Sequence, residues 1–195
     1  MCLEQEVIRH GAPTLAGIKT GNLFPLKTEE DIREDIRKIN RTLSVKGLRL
    51  IPVRKTASGY LAYLYRPSFL SEDLTCPEAV CLLQEKGYTC DDAGHCLAQL
   101  IRRLCEDGDF PHEIGLFLGY PPSDVRNFMK DPYQGVKCVG CWKAYDHAED
   151  AEKTFKKYKD CTAAYCRAMK RGKTLECLAV DTHSLRHAGH AHRSF

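Results

Sequence analysis

"LRLIPVRKTASGYLAYLYR", residues 48–66, decides the fold class. "LRLIPV" and "YLAYLYR" each read as strands, because leucine and β-branched residues crowd the first and leucine and tyrosine the second. In the second, Tyr60, Ala62, Leu64 and Arg66 alternate with Leu61, Tyr63 and Tyr65. Successive strand residues face opposite sides, so both faces are largely apolar and the strand suits a position covered twice or an edge beside a ligand. The link "RKTASG" ends in Gly59, as a hairpin turn does. An antiparallel hairpin is therefore expected, and its surroundings decide what covers it.

Those surroundings read mostly as helix. In "TEEDIREDIRKINRTL", residues 28–43, Ile32, Ile36, Ile39 and Leu43 form one apolar stripe. Thr28 is a candidate cap, with Asp31 at the capping-box position. Thr75 precedes "CPEAVCLLQEKG", which carries Pro77 in the first turn and Gly87 as terminator. "HCLAQLIRRLCE" has a stripe of Leu97, Leu100, Ile101 and Leu104, and "PPSDVRNFMKDP" holds a short helix. Ala148, Ala151, Phe155, Tyr158, Thr162, Tyr165 and Met169 predict one helix from about 148 to 169, closed by Gly172. "EIGLFLGY", a short apolar run between Pro111 and Pro121, reads as a third strand. The expected fold is α+β: a small, mostly antiparallel sheet from 48–54, 60–66 and 113–118, covered by amphipathic helices. One domain over residues 1–180 is expected, followed by a disordered His-rich tail over 181–195.

The 195 residues suffice for one domain with a core. A net charge of +3 is too small to argue for nucleic acid. No apolar run reaches membrane-spanning length, and "MCLEQEVIRHG" does not resemble a secretory signal. With eleven cysteines and no export signal, a reducing cytoplasm with free thiols is expected.

Cys138 and Cys141 form a C-x2-C pair around Gly140, the shape of a metal-binding or redox turn. The pair supplies two ligands where a structural zinc site takes four; Cys161, His147 and the tail histidines are the candidates for the rest. Cys161 and Cys166, five apart on one helix, are rotated by about 140° and cannot share an ion unless that helix breaks. They are expected partly buried. His183, His187, His190 and His192 make the tail a metal binder or a disordered segment with incidental affinity.

Other blocks carry polar groups beside strand ends. "FPHEIG" sets His112 next to Glu113, "IKTGNLF" offers Lys19 in a loop without the P-loop glycines, "YRPS" places Arg66 before Pro67, and "CWKAY" presents Lys143. Lys19, Arg66, His112, Glu113 and Lys143 are the candidate ligand-binding set. Their excess of cations suits an anionic ligand or cofactor, and flavin nucleotide and haem both fit. Zinc or iron at Cys138 and Cys141 is the alternative. A further alternative is a non-catalytic protein whose basic stretch 153–173 docks an acidic partner.

"APTLAGIKTGNLF" (12–24), "KGLRLIPV" (46–53), "YLYRPS" (63–68), "FPHEIGLFLGYPPSDV" (110–125), "GCWKAY" (140–145) and "KYKDCTAAYCR" (157–167) occur in an order that resembles the DUF3793 family. This is an uncharacterised group found mainly in anaerobic bacteria such as clostridia. The resemblance covers residues ~8–180 and implies redox or iron-related work with flavodoxin as a candidate partner. The family block centres on Gly140, Trp142, Lys143 and Tyr145; Cys141 and the His-rich tail lie outside that pattern.

Overall fold

The computed structural model describes residues 3–28, 31–106 and 108–187. It is α+β. In chain order the elements are α1 (Leu3–Leu15), β1 (Gly21–Lys27), α2 (Arg33–Val45), β2 (Arg49–Thr56), β3 (Gly59–Tyr65), α3 (Pro67–Leu74), α4 (Pro77–Glu85) and α5 (Ala93–Cys105). There follow α6 (Ile114–Phe117), α7 (Pro122–Lys130), β4 (Cys138–Val139), β5 (Lys143–Ala144), α8 (Ala148–Lys170), α9 (Leu175–Leu178) and α10 (Thr182–His187). The chain divides into two compact units. Unit 1 takes the residues up to Phe69 and from Asp160 on, and unit 2 takes Leu70–Lys159. No helix among the described residues is long and apolar enough to cross a membrane.

Unit 1 is built on an antiparallel sheet of order β1-β3-β2. The hairpin β2–β3 forms as its sequence predicts. Gly59, at φ 144°, closes it, and a Cβ there would lie 1.9 Å from the Leu26 carbonyl oxygen. β3 is the middle strand, which explains its two apolar faces: Ala62 and Leu64 are fully buried and Tyr63 nearly so. Both prolines of the sheet, Pro25 and Pro52, sit on edge strands, where a missing N–H breaks no inner ladder. One face of the sheet packs Phe24, Leu26, Leu50, Ala62 and Leu64 against Val7, Ile8 and Leu15 of α1, Ile36, Ile39 and Leu43 of α2, and Leu175 of α9. Asn40 of α2 binds the β2 backbone twice, donating to the Leu50 carbonyl (2.7 Å) and accepting the Leu50 N–H (2.9 Å).

Three expectations are corrected. The third strand is β1, not 113–118; those residues form α6, buried throughout from Ile114 to Phe117. A short apolar run has no period to separate strand from buried helix, and Gly115 permits the helical path by letting Val125 approach where a Cβ would be 2.7 Å away. Thr28 does not cap α2. Its N–H joins the Ser58 carbonyl, extending the sheet, and Asp31 accepts the Arg33 N–H in its place. Finally, 182–187 of the expected tail are helical, with the Thr182 N–H on the Lys46 carbonyl at 3.1 Å. The remaining tail, with His190 and His192, lies outside the described residues.

Unit 2 packs α4 against α7 and α6 against α7, over Leu82, Leu83, Leu97, Leu100, Leu104, Phe117 and Val125. Its small hairpin β4–β5 pairs Cys138 with Ala144 and packs on α7.

Candidate functional site

A cleft of about 610 Å³ opens on unit 2. Its walls follow from local structure. α4 ends at Glu85, and Gly87, with a φ of 77°, turns the chain into Tyr88. α5 begins at Asp92, whose carboxylate accepts the Gly94 and His95 N–H groups. It ends in Arg102 and Arg103, cations matched to the negative end of the helix. The segment from Gly108 to Glu113 then returns beside that end.

The floor is a buried carboxylate. Glu113, 3% exposed, accepts the Tyr88 hydroxyl at 3.0 Å and the Arg103 guanidinium at 3.3 Å. Arg103 lies 4.4 Å over the Tyr88 ring and also donates to the Lys86 carbonyl. Burial, and then the neighbouring Glu113 charge, push the Tyr88 hydroxyl well above the usual phenol range. It therefore stays a donor. This triad fixes Arg103, while the side chains of Lys86 and Arg102 enter no ion pair among the described residues. Glu106 and Asp109 also line the cleft.

His112 is exposed and lines the cleft beside Phe110, their ring centroids 5.8 Å apart. Its ring meets Phe128 edge-on at 5.1 Å. Lys143 reaches that same ring, with Nζ 5.7 Å from the Phe128 centroid and 4.6 Å from that of Tyr133. Lys143 also donates to the Pro132 carbonyl at 2.7 Å. Of the five residues singled out by sequence, His112, Glu113 and Lys143 are thus gathered in unit 2, around the cleft and its Phe128 flank.

Lys19 and Arg66 belong to unit 1, and both are buried. Arg66 does end a strand before Pro67, as read, but every donor of its guanidinium is engaged. Nε donates to the Thr14 carbonyl (2.8 Å), Nη2 to those of Leu15 (2.9 Å) and Val180 (2.7 Å), and Nη1 to that of Lys46 (3.4 Å) and to the Thr182 hydroxyl. Thr14 and Leu15 end α1 and Lys46 caps α2, so the charge sits against the negative ends of two helices. Burial lowers its pKa to about 10, leaving it cationic at neutral pH. With no N–H to spare, Arg66 is a clamp on the C-terminal segment.

Cys138 and Cys141 flank the tip of the β4–β5 hairpin, where Gly140 lets the Phe155 ring approach a position a Cβ would reach at 2.2 Å. Cys141 is exposed; Cys138 is half-buried, and burial pushes its thiol up. Cys161 and Cys166 are half-buried on the continuous α8, as the helical spacing predicts. Among the described residues no three of His, Cys, Asp and Glu stand close enough to hold a metal. Trp142 is a packing residue, stacked on Tyr120 at 4.9 Å and donating to the buried Asp124 at 2.8 Å. Asp124 also accepts the Tyr145 N–H at 2.8 Å, so it ties the hairpin to α7.

The family model for the protein of unknown function DUF3793 matches residues 7–179. The chain belongs to the DUF3793 family. No curated protein and no solved structure matches it. In this DUF3793 protein the family-like block "FPHEIG" supplies one wall of the cleft, whereas Arg102, Arg103 and Lys86 were not singled out in the sequence. Their signal was two adjacent arginines in the last turn of an amphipathic helix, a pattern that helix-dipole matching alone also produces.

Proposed function

We propose that this protein binds an anionic ligand in the cleft of unit 2. Arg102, Arg103 and Lys86 hold the anion, and His112 supplies an adjustable donor at the rim. The observation that carries the reading is concavity combined with pre-set charge. Arg103 is fixed by Glu113 and Tyr88 before any ligand arrives, and Arg102 and Lys86 line the same cleft without a close ion pair among the described residues. Fixed cations in a cleft bind an anion at lower entropic cost than flexible ones on open surface. Glu106 and Asp109, which also line the cleft, oppose this.

Titration with inorganic pyrophosphate by calorimetry tests the proposal. Arg102→Ala removes one charge-assisted hydrogen bond, worth about 1.5–3 kcal/mol, and should weaken binding by about tenfold or more. Raising salt should weaken it further. Absence of pyrophosphate binding, or binding indifferent to Arg102, contradicts the reading. A second reading, thiol redox at the exposed Cys141 beside Cys138, draws on their shared hairpin tip. A third, docking of an acidic partner such as flavodoxin, draws on exposed Arg167 and Lys170 in the part of α8 that belongs to unit 1.

A further inference from the structure

Besides its acidic residues, the cleft lining brings together two chemistries. One is cationic: Lys86, Arg102 and Arg103. The other is aromatic and soft: Phe110, His112 and Met129. Phe110 is 43% exposed, one of few large apolar side chains left so open among the described residues. It is not a loose ring on a flat surface. It meets His112 at 56°, and His112 is in turn steadied edge-on by Phe128, which Lys143 backs from its own position over Tyr133. Two rings therefore meet at a supported corner in a concavity whose lining also holds the cations.

From this arrangement we infer that the ligand joins a planar aromatic ring to its anionic group, as a nucleotide does, with the ring on Phe110 and His112 and the phosphates on Arg102 and Lys86. This rests on the anion-binding reading of the cleft and narrows it to one class. Each chemistry accounts for half of such a molecule. A ring stacks on aromatic side chains with little regard for its substituents, and a polarizable thioether such as Met129 packs well against a ring edge. Phosphate oxygens suit the forked guanidinium of Arg102. A bare inorganic anion would leave the Phe110 corner in water, and a bare ring would leave two cations unmatched.

The test compares pyrophosphate, adenosine, ADP and flavin mononucleotide on the full-length protein by calorimetry, the last two differing in ring size. At least one nucleotide should bind tenfold or more tightly than pyrophosphate, and adenosine should bind weakly. Phe110→Ala should erase that advantage while leaving the pyrophosphate Kd unchanged, and Phe110→Tyr should restore it. Because Phe110 is largely exposed, these variants should fold, which circular dichroism verifies. If pyrophosphate binds but neither nucleotide binds better, or if Phe110→Ala weakens pyrophosphate and nucleotide alike, the ring inference is overturned and the anion reading survives. If neither pyrophosphate nor any nucleotide binds, both fall.

Discussion

Replacing Arg66 with methionine keeps much of the side-chain length and removes the charge and all five N–H groups. Five acceptors lose a donor: the carbonyls of Thr14, Leu15, Lys46 and Val180 and the Thr182 hydroxyl. Three of the carbonyls retain another partner, from the N–H groups of Gly17, Val180 and Thr182, while that of Val180 keeps none among the described residues. Five charge-assisted bonds at about 1.5 kcal/mol each, the low end of their range, give a gross loss of about 7.5 kcal/mol. Relief of the cation's desolvation returns several kcal/mol of that. The expected net loss is about 3 kcal/mol, a large fraction of the roughly 5–15 kcal/mol that holds a domain folded. Urea unfolding followed by far-UV circular dichroism measures it, with Arg66→Lys as the control. Lysine keeps the charge with three donors in place of five and should recover part of the loss. A chain ending at residue 180 should also be destabilised, since it lacks Thr182. If Arg66→Met costs under about 0.5 kcal/mol, the value of an ordinary surface change, the clamp does not exist as described and Arg66 returns to the candidate ligands.

Other outcomes follow from the same geometry. Glu106→Gln removes a negative charge from the cleft and should tighten pyrophosphate binding several-fold at low salt, with the gain shrinking as salt rises; unchanged affinity would place the anion elsewhere. Burial, and then its contact with Cys90, push the Cys96 thiol up to about 12. At pH 8 Cys96 should therefore carry on the order of a thousandfold less thiolate than an ordinary cysteine and be among the last alkylated, by mass spectrometry, while exposed Cys141 reacts early. The N–H groups of His95 and Gly94 hold the Asp92 carboxyl below its ordinary value, with the hydrogen bond from His95 the larger cause. A depressed folded pKa means the cap stabilises above about pH 4 and is lost as pH falls below it, so Asp92→Asn should flatten the acid limb of the stability curve; an unaltered limb would contradict this.

Legibility in the sequence followed the kind of signal each element carries. α8 was legible almost to the residue because seven positions, six of them apolar or aromatic and the seventh Thr162, repeat at helical spacing with acids first and bases last. The β2–β3 hairpin was legible from its apolar strands and Gly59. α1 was not, because Gly11 and Pro13 both disfavour helix by propensity. Tertiary packing overrides them: the missing Cβ of Gly11 admits Leu64 of β3, to a position 2.4 Å from where that Cβ would stand. β1 was hidden by Pro25, tolerable only because the strand lies at an edge, a fact that pairing alone reveals. For the site, His112 and Glu113 stood out as an unusual pair, and the structure sends one to the rim and the other to the floor. Arg66 misled for a physical reason: an arginine at a strand end reads alike whether its donors face a ligand or three backbone segments brought together only by folding. Asp124, which ties α7 to the β4–β5 hairpin, gave no signal because both partners come from elsewhere in the sequence.

The central claim is that the cleft of unit 2 is a binding site for anions. Amide chemical-shift mapping on nitrogen-15-labelled protein, titrated with pyrophosphate, tests it most directly because it reports location as well as affinity. The saturating shifts should gather at Lys86 and Gly87, along the last turn of α5 through Arg103, and from Phe110 to Glu113. No saturable shifts, or the largest shifts in unit 1 around Lys19 and Arg66, would contradict the account.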